Sequence, residues 1–205
     1  MSLRIFISKI GFYSGKLGLL EISRFNVFKK TCNAFELGKL NNIGLKIRLM
    51  RPEDIPTISR ELNINFKAEV SRGSGGMVAL IDGKLVNWSL FAVNKVYRGE
   101  YVKRFNLNHH SAYIHAVYTM REYRGNGIAP QVIDAICGYL FQKNIRHVYL
   151  CINPANQASL RFASKAGFKN IGHITYIQIL KLLVCMAKTR NMNESMVLKN
   201  LFKAG

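Results

Sequence analysis

A glycine-rich turn is the part of this sequence best suited to chemistry. It reads Arg124-Gly125-Asn126-Gly127-Ile128-Ala129 and follows an apolar, strand-like run at 113–119. Apolar residues recur at helical spacing after Gly127, which predicts a helix starting there. The first N–H groups of a helix have no partner within it and carry partial positive charge. Two glycines let an anion approach that backbone and Arg124 adds a cation, so the turn is typical of a pyrophosphate site.

Residue types argue against two other phosphate-binding turns. A nicotinamide-binding turn needs a third small residue where Pro130 stands, and an acidic residue about twenty positions later. No Asp or Glu lies between Cys137 and Cys151. A nucleoside-triphosphate loop needs Gly-Lys-Ser/Thr, which this segment lacks. A turn that only connects a strand to a helix remains the alternative for this segment taken alone.

A second motif downstream gives the turn its context. After another apolar run at 147–152, the chain reads NPANQASLRFASKAGF from Asn153 to Phe168. Together the two segments resemble the GNAT superfamily of acyl-CoA-dependent N-acyltransferases. Arg124-x-x-Gly127-x-Ala129 matches that family's Q/R-x-x-G-x-G/A loop, and 153–168 matches its N-x-x-N-x-A-S-x-R-x-x-x-K-x-G-F motif. The resemblance implies an α/β (α+β) GNAT acyltransferase fold, in which a mixed central sheet is flanked by helices and splayed central strands bind acyl-CoA.

The resemblance also implies acetyl-CoA as cosubstrate and assigns residues to it. Val117, Tyr118 and Thr119 on the central strand would pair with the pantetheine arm, with one backbone N–H facing the thioester oxygen. The pyrophosphate would bind the turn residues Arg124, Gly125, Asn126, Gly127, Ile128 and Ala129. Asn153 and Asn156 would hydrogen-bond the pantetheine amides, although asparagine before proline is also an ordinary turn residue. The 3′-phosphate would fall to Lys165 or Arg161.

The acid and base of the reaction are harder to assign. Family members often place a carboxylate on the central strand, but no acid lies between Glu100 and Glu122. We expect His115, or His110 just upstream, to act as base, because imidazole titrates near neutral pH. The family's usual acid is a tyrosine four residues before Gly-Phe, and this chain has Ala163 there. Four tyrosines could replace it: Tyr118, Tyr123, Tyr139 and Tyr176.

The flanking segments predict the elements that hold these residues. The alternating run 45–51 indicates a first strand, and Pro52-Glu53-Asp54 predicts a helix start. Asp82-Gly83 between apolar runs predicts a two-residue hairpin. We expect residues 45–186 to form the acyltransferase domain, preceded by a basic apolar extension at 1–44 that packs on it or lies on a membrane surface. Residues 187–205 form a tail with the spacing of a short amphipathic helix.

Composition limits the partners and the compartment. The chain of 205 residues has a formal charge of +19, which implies attraction to something anionic, such as a nucleotide-linked substrate, an acidic glycan or a membrane surface. Nucleic acid is the weaker choice, because charge is its only support. The four cysteines show no metal or disulfide spacing, so we expect buried thiols, no metal and a cytoplasmic location.

The sequence therefore favours one function and keeps a second open. The first is N-acetyl transfer from acetyl-CoA to a small-molecule primary amine, an amino sugar or a nucleotide-linked sugar being the suggested acceptors. The second is a catalytically degenerate module that binds acyl-CoA or peripherally contacts a membrane, which Ala163 and the missing strand carboxylate favour. A monomer and a homodimer fit the sequence equally.

Overall fold

The protein is described from a computed structural model that covers residues 20–34, 44–62, 75–93, 96–97, 105–179 and 182–189. Ten strands are present in these ranges: β1 Leu20–Thr31, β2 Leu45–Leu49, β3 Gly75–Ile81, β4 Lys84–Val93, β5 Val96–Tyr97, β6 Phe105–Asn106, β7 Ser111–Thr119, β8 His147–Ile152, β9 Lys169–Ile179 and β10 Leu182–Thr189. Three α-helices accompany them: α1 Asp54–Leu62, α2 Ile128–Gln142 and α3 Gln157–Lys165.

Eight strands form one mixed sheet in the order β10-β9-β1-β8-β7-β4-β3-β2. All neighbours are antiparallel except β7 and β8, which are parallel. The two short strands β5 and β6 pair with each other. The mixed central sheet with flanking helices confirms the predicted fold class, including the strand–turn–helix–strand unit from β7 to β8.

Helices α2 and α3 cover one face of the sheet, and α1 lies on the other. The α2 side chains Val132, Ile133 and Ile136 are fully buried in the largest core cluster, together with Ala163 of α3. Ile58 of α1 packs on the opposite face against Val78 and Leu90. The helical periodicity read from the sequence thus predicted the buried side of α2.

The predicted hairpin forms between β3 and β4. Ile81 pairs with Lys84, so the loop has two residues, and both have positive φ: 50° at Asp82 and 76° at Gly83. Both residues of this turn thus lie in the left-handed region that favours Asp-Gly at such a position.

Strand β1, Leu20–Thr31, falls within the predicted extension at 1–44. It lies inside the sheet, antiparallel to β8 on one side and to β9 on the other. Val27 and Phe28 are buried in the core, and Lys30 Nζ binds both Asp134 of α2 and the Ala166 carbonyl. Residues 20–31 are thus part of the domain instead of an extension packed on it. Sequence reasoning missed this because pairing between distant strands has no local signature.

The C-terminal end of the sheet also differs from the expected end of the domain. Strand β10 continues to Thr189, past the expected end at 186. Residues 1–19 and 35–43 of the predicted extension, and residues 190–205 of the predicted tail at 187–205, lie outside the described residues, and so does the amphipathic helix expected in that tail. In the ranges that are described, no helix is long and apolar enough to cross a membrane.

Candidate active site

The site begins where β7 and β8 separate. Their parallel register contains three pairs, Ser111 with His147, Ala112 with Val148 and Tyr113 with Tyr149. Both strands continue past this point, and β8 stays paired to β1 as far as Ile152. From Ile114 onward the β8-facing backbone edge of β7 has no strand pairing within the described chain. This opening agrees with the splayed central strands that the resemblance to the GNAT family implied.

A β-bulge at His115 accompanies the separation. Phe91 of β4 pairs with Ile114 and the preceding Leu90 pairs with Ala116, so His115 is an extra residue on β7. Bulges bend a strand and re-aim its side chains, and they are frequent beside active sites. The bulge therefore turns the end of β7 away from β8 while its pairing with β4 continues.

The glycine-rich turn closes one end of the opening. Gly125 has φ 87° and Gly127 has φ 71°, and Gly127 is the N-cap of α2. The first turn of α2 has no acidic residue, so nothing in it offsets the positive end of the helix dipole. Pro130 has no N–H, which leaves the N–H groups of Ile128 and Ala129 as the donors at the start of the helix. This geometry fits a phosphate group.

Arg124 is held at the end of β7 by two contacts. Its Nε donates to the Thr119 carbonyl at 3.0 Å, and its guanidinium lies 5.4 Å from the centre of the Tyr118 ring. Tyr118 stacks in turn on Trp88 of β4, with ring centres 5.7 Å apart and planes inclined by 18°. Arg124, Tyr118 and Trp88 therefore form a stack, which we call the Arg124 stack.

The other wall comes from α3 and the loop before it. The Asn156 side-chain oxygen accepts from Ser159 N at 3.0 Å and caps α3, which leaves its amide group to donate. Asn153 accepts from Ala155 N at 2.9 Å and shapes the preceding turn. Arg161 and Lys165 are four residues apart, so they share the exposed side of the helix. The helix thus presents two cations along this wall.

These walls enclose a cleft of about 780 Å³, within the usual size range of ligand pockets. Most residues assigned from the sequence line it: His115, Val117, Tyr118, Thr119, Arg124, Gly125, Gly127, Ile128, Ala129, Asn156, Arg161 and Lys165. Asn126 and Asn153 do not. The Asn126 amide instead donates to the Tyr123 carbonyl at 3.4 Å, so both asparagines stabilise the turns that border the cleft.

Sequence reasoning missed several lining residues. Trp88 reaches the cleft from β4, a strand without a site motif, and Phe162, Ser159 and Cys151 also line it. The alternation of β8 could have indicated Cys151, because Val148 and Leu150 face α2 and their neighbours face the other way. No carboxylate lines the cleft in the described part of the chain. The charged side chains of its described lining are the cations Arg124, Arg161 and Lys165, and His115 adds an imidazole.

The candidate acid residues divide into two groups. Tyr118 and Tyr123 line the cleft. Tyr139 packs against Phe91 and Lys143, and Tyr176 is buried against Phe25, so neither reaches it. Ala163 is fully buried in the core cluster of α2 and α3 and is outside the lining. His110 is exposed and contacts the Asn144 carbonyl, also outside the cleft, which leaves His115 as the histidine at the site.

Two other cysteines lie away from the cleft. Cys32 and Cys137 are both buried in the core, where the hydrogen bond from the Cys137 thiol lowers the pKa of Cys32 despite its burial. The same contact and burial raise the pKa of Cys137. Cys32, Cys137 and Cys151 are free thiols, and no three ligating side chains cluster within the described part of the chain as a metal site requires.

Comparison with known proteins agrees with this geometry. The profile of the acetyltransferase (GNAT) family matches residues 47–168, more than half of the chain. The protein therefore belongs to the GNAT acetyltransferase family. No curated protein matches it significantly.

Several solved structures share the fold. A Drosophila structural genomics target has a TM-score of 0.55 at 10% identity and matches 86% of this chain. A GCN5-related N-acetyltransferase from Sphaerobacter thermophilus has a TM-score of 0.55 at 15% identity and matches 83%. Ard1 from Thermoplasma volcanium has a TM-score of 0.51 at 19% identity; 64% of this chain and 86% of Ard1 are matched. The chain spans 58% of the Drosophila protein and 56% of the Sphaerobacter protein.

Proposed function

We propose that the protein transfers an acetyl group from acetyl-CoA to a primary amine, with amino sugars and nucleotide-linked sugars as the first acceptors to test. The single observation that supports this most is the separation of β7 from β8 beyond Tyr113, which ends at the glycine-rich turn. The opening exposes the backbone edge of β7, which leads to the N-terminus of α2 at the glycine-rich turn. An extended amide chain ending in a pyrophosphate has the matching chemistry.

Each part of the cosubstrate has a counterpart in the cleft. The unpaired edge of β7 at Val117–Thr119 offers backbone groups to the pantetheine amides, as an added strand would use them. The N–H groups at Gly127, Ile128 and Ala129 face the pyrophosphate. The Asn156 amide donates from the opposite wall, and Arg161 and Lys165 provide charge for the remaining phosphate.

The reaction requires a neutral amine and a stabilised leaving group. The amine nitrogen attacks the thioester carbonyl carbon, a backbone N–H of β7 stabilises the oxyanion, and the carbon–sulfur bond breaks. His115 takes the proton that the amine loses, directly or through water. Tyr118 or Tyr123 donates a proton to the departing sulfur. A thiol of pKa about 8.5 also leaves tolerably as the thiolate, so Ala163 does not preclude turnover.

The proposal is tested first by calorimetric titration of acetyl-CoA into the protein. The release of free thiol from acetyl-CoA is then measured with amino sugars, nucleotide amino sugars and peptides as acceptors. We expect acetyl-CoA to bind with a micromolar Kd, and free thiol to be released with one acceptor class.

We also propose that the protein is cytoplasmic and is a monomer or a homodimer. Peripheral membrane contact is a further hypothesis that the charge of +19 motivates. Partitioning of the full chain with anionic vesicles tests the membrane contact, and no partitioning would reject it.

A second candidate function rests on Ala163 and on the absence of a carboxylate from the described lining. Without an acid at 163, the domain could bind acyl-CoA and act as a sensor. Tight binding of acetyl-CoA with no thiol release across the acceptor panel would favour the sensor. Release above the hydrolysis rate with any acceptor would reject it.

A further inference from the structure

Lys30 is a charged residue in an apolar stretch of β1 that faces the helices. Phe28 before it and Cys32 after it are both buried in the core cluster to which α2 and α3 contribute. Alternate residues of a strand face the same side of a sheet, so Lys30 lies between these two, and its side chain is only 17% exposed. An ammonium group in this position needs polar partners, because an unpaired charge is costly away from water.

The ammonium group of Lys30 joins β1 to both helices. Its Nζ donates to the Asp134 carboxylate of α2 at 2.5 Å, and to the Ala166 carbonyl at the C-terminal end of α3 at 2.6 Å. A cation is favourable at a helix C-terminus, because the last carbonyls have no partner within the helix and carry partial negative charge. We call Lys30, Asp134 and Ala166 the Lys30 clamp.

Both helices that the Lys30 clamp joins contribute groups to the cleft. Asp134 lies seven residues from Gly127, the N-cap of α2, which is about 10 Å along the helix axis. Lys165, which lines the cleft, is the residue next to Ala166. The Lys30 clamp therefore ties to one strand the end of α2 assigned to the pyrophosphate and a cation of α3.

Apolar packing also brings the two helices together, but it is less exact. Ala163 and Ala166 are buried in the same core cluster as Val132 of α2. The hydrophobic effect is non-directional. Hydrogen bonds from one ammonium group to two acceptors have preferred distances and angles instead. An ammonium group bonded to both helices thus fixes their relative position more narrowly than the apolar contact does.

We propose that Lys30 is a positioning residue for acetyl-CoA, which holds Lys165 at the distance from the α2 N-terminus that lets one ligand reach both. The inference rests on the proposed function, in which the turn before α2 takes the pyrophosphate, and Lys165 with Arg161 takes the 3′-phosphate. Lys30 is outside the described lining of the cleft, so it acts through Lys165. It also lies outside residues 47–168, which the family profile matches.

The test compares coenzyme A with 3′-dephospho-coenzyme A by calorimetry, because the two ligands differ only in the phosphate assigned to α3. We expect the wild type to bind coenzyme A roughly 10- to 100-fold more tightly, as hydrogen bonds between charged groups allow. Lys165→Ala should lower this ratio of Kd values at least about fivefold. Lys30→Met keeps an aliphatic side chain without the ammonium group. It should lower the ratio by a similar factor, and change the Kd of the dephospho ligand less than about threefold.

Three further variants locate the effect. Lys30→Arg should recover most of the ratio, because a guanidinium group also donates to two acceptors. Asp134→Ala breaks only the α2 contact of the clamp, at a side chain that is 40% exposed, and should also lower the ratio. Lys46→Met is the matched control, since it removes an exposed lysine from β2 at the far edge of the sheet. It should leave both Kd values unchanged.

Three results would overturn the role of Lys30. A wild-type ratio in Asp134→Ala and in folded Lys30→Met would show that the clamp positions nothing. An equal loss of affinity for both ligands would show a merely structural role. Equal binding of the two ligands by the wild type would mean that no α3 cation is held at the phosphate. Failure of the wild type to bind coenzyme A at all would instead reject the proposed function, so the two failures are distinguishable.

Discussion

Tyr113 and Tyr149 form the last pair between β7 and β8, and the strands part immediately beyond them. Both tyrosine side chains are buried. The ring of Phe105 stacks on the ring of Tyr113, with ring centres 4.6 Å apart, and its centre lies 5.7 Å from that of the Tyr149 ring. This aromatic cluster therefore holds β7 and β8 together where their pairing ends. The separation of the two strands begins at the bulge at His115. Strand β1 holds β8 from its other edge, so β8 does not need β7 as a partner beyond this point.

The internal position of β1 predicts unequal effects for two substitutions on one strand. Val27 is fully buried and pairs with Cys151, whereas Ile22 is 45% exposed. We expect Val27→Asp to lower the free energy of unfolding by about 3–5 kcal/mol, because it buries an unpaired charge. Ile22→Asp should cost less than about 1 kcal/mol. Urea denaturation measures both, and equal small costs would mean that β1 is not a core strand.

His115 is expected to matter for turnover and not for cosubstrate affinity. Removing a general base typically slows a reaction by about 10²-fold or more. His115→Ala should lower kcat by that order and leave the Kd of acetyl-CoA within about threefold. His110→Ala is the control, since this exposed histidine lies outside the cleft and should keep wild-type kcat. Wild-type kcat in His115→Ala would leave proton removal to water or to another group.

Cys151 offers a chemical probe of the cleft. It is partly exposed and lines the opening, whereas Cys32 and Cys137 are buried. Iodoacetamide should alkylate Cys151 faster than either buried thiol, because access limits the reaction. Saturating acetyl-CoA should slow alkylation of Cys151 at least about tenfold, as peptide mass spectrometry would show. Unprotected Cys151 in the presence of bound acetyl-CoA would place the ligand elsewhere.

Asp54 makes the stability of the first helix depend on pH. Burial alone would raise its pKa, but hydrogen bonds from the Arg48 guanidinium at 2.7 and 2.8 Å and from Arg51 N at 2.7 Å outweigh burial and lower the pKa below 3.8. A lowered folded-state pKa stabilises the protein above the unfolded value, and that contribution is lost as pH falls through the folded one.

The variant Asp54→Asn isolates this contribution. At pH 6 we expect it to reduce the free energy of unfolding by about 1–3 kcal/mol, since Arg48 loses its charged partner. The difference from wild type should stay constant down to about pH 5 and shrink as pH falls below the unfolded pKa. Denaturant unfolding from pH 7 to pH 3 measures it, and a difference that grows on acidification would contradict the assigned direction of the pKa shift.

Local patterns predicted much of this site because its parts are close in sequence. The glycines of 124–129, the α2 periodicity and the β8 run lie within one strand–helix–strand unit, where spacing determines position. The Asp-Gly hairpin was equally local. The fold class, which the resemblance of the 124–129 and 153–168 motifs to the GNAT family implied, was also confirmed.

Long-range pairing accounts for what the sequence did not reveal. The partners of β1 are more than a hundred residues away, so its place in the sheet depends on pairing that no window contains. Trp88 enters the cleft because β4 pairs with β7, and the bulge at His115 appears only in that register. The orientation of the Arg124 side chain likewise depends on its contacts with the Tyr118 ring and the Thr119 carbonyl, which the motif around Arg124 does not include.

The most direct test of the central claim is a calorimetric titration of acetyl-CoA into wild-type protein and two glycine variants. Gly127 and Gly83 both have positive φ, 71° and 76°, so glutamate at either position incurs similar backbone strain. Only Gly127→Glu places a carboxylate beside the N-terminus of α2. We expect one micromolar site in the wild type, the same affinity in Gly83→Glu, and at least about 100-fold weaker binding in Gly127→Glu. Equal affinity in a folded Gly127→Glu variant would contradict the assignment of this cleft to acetyl-CoA.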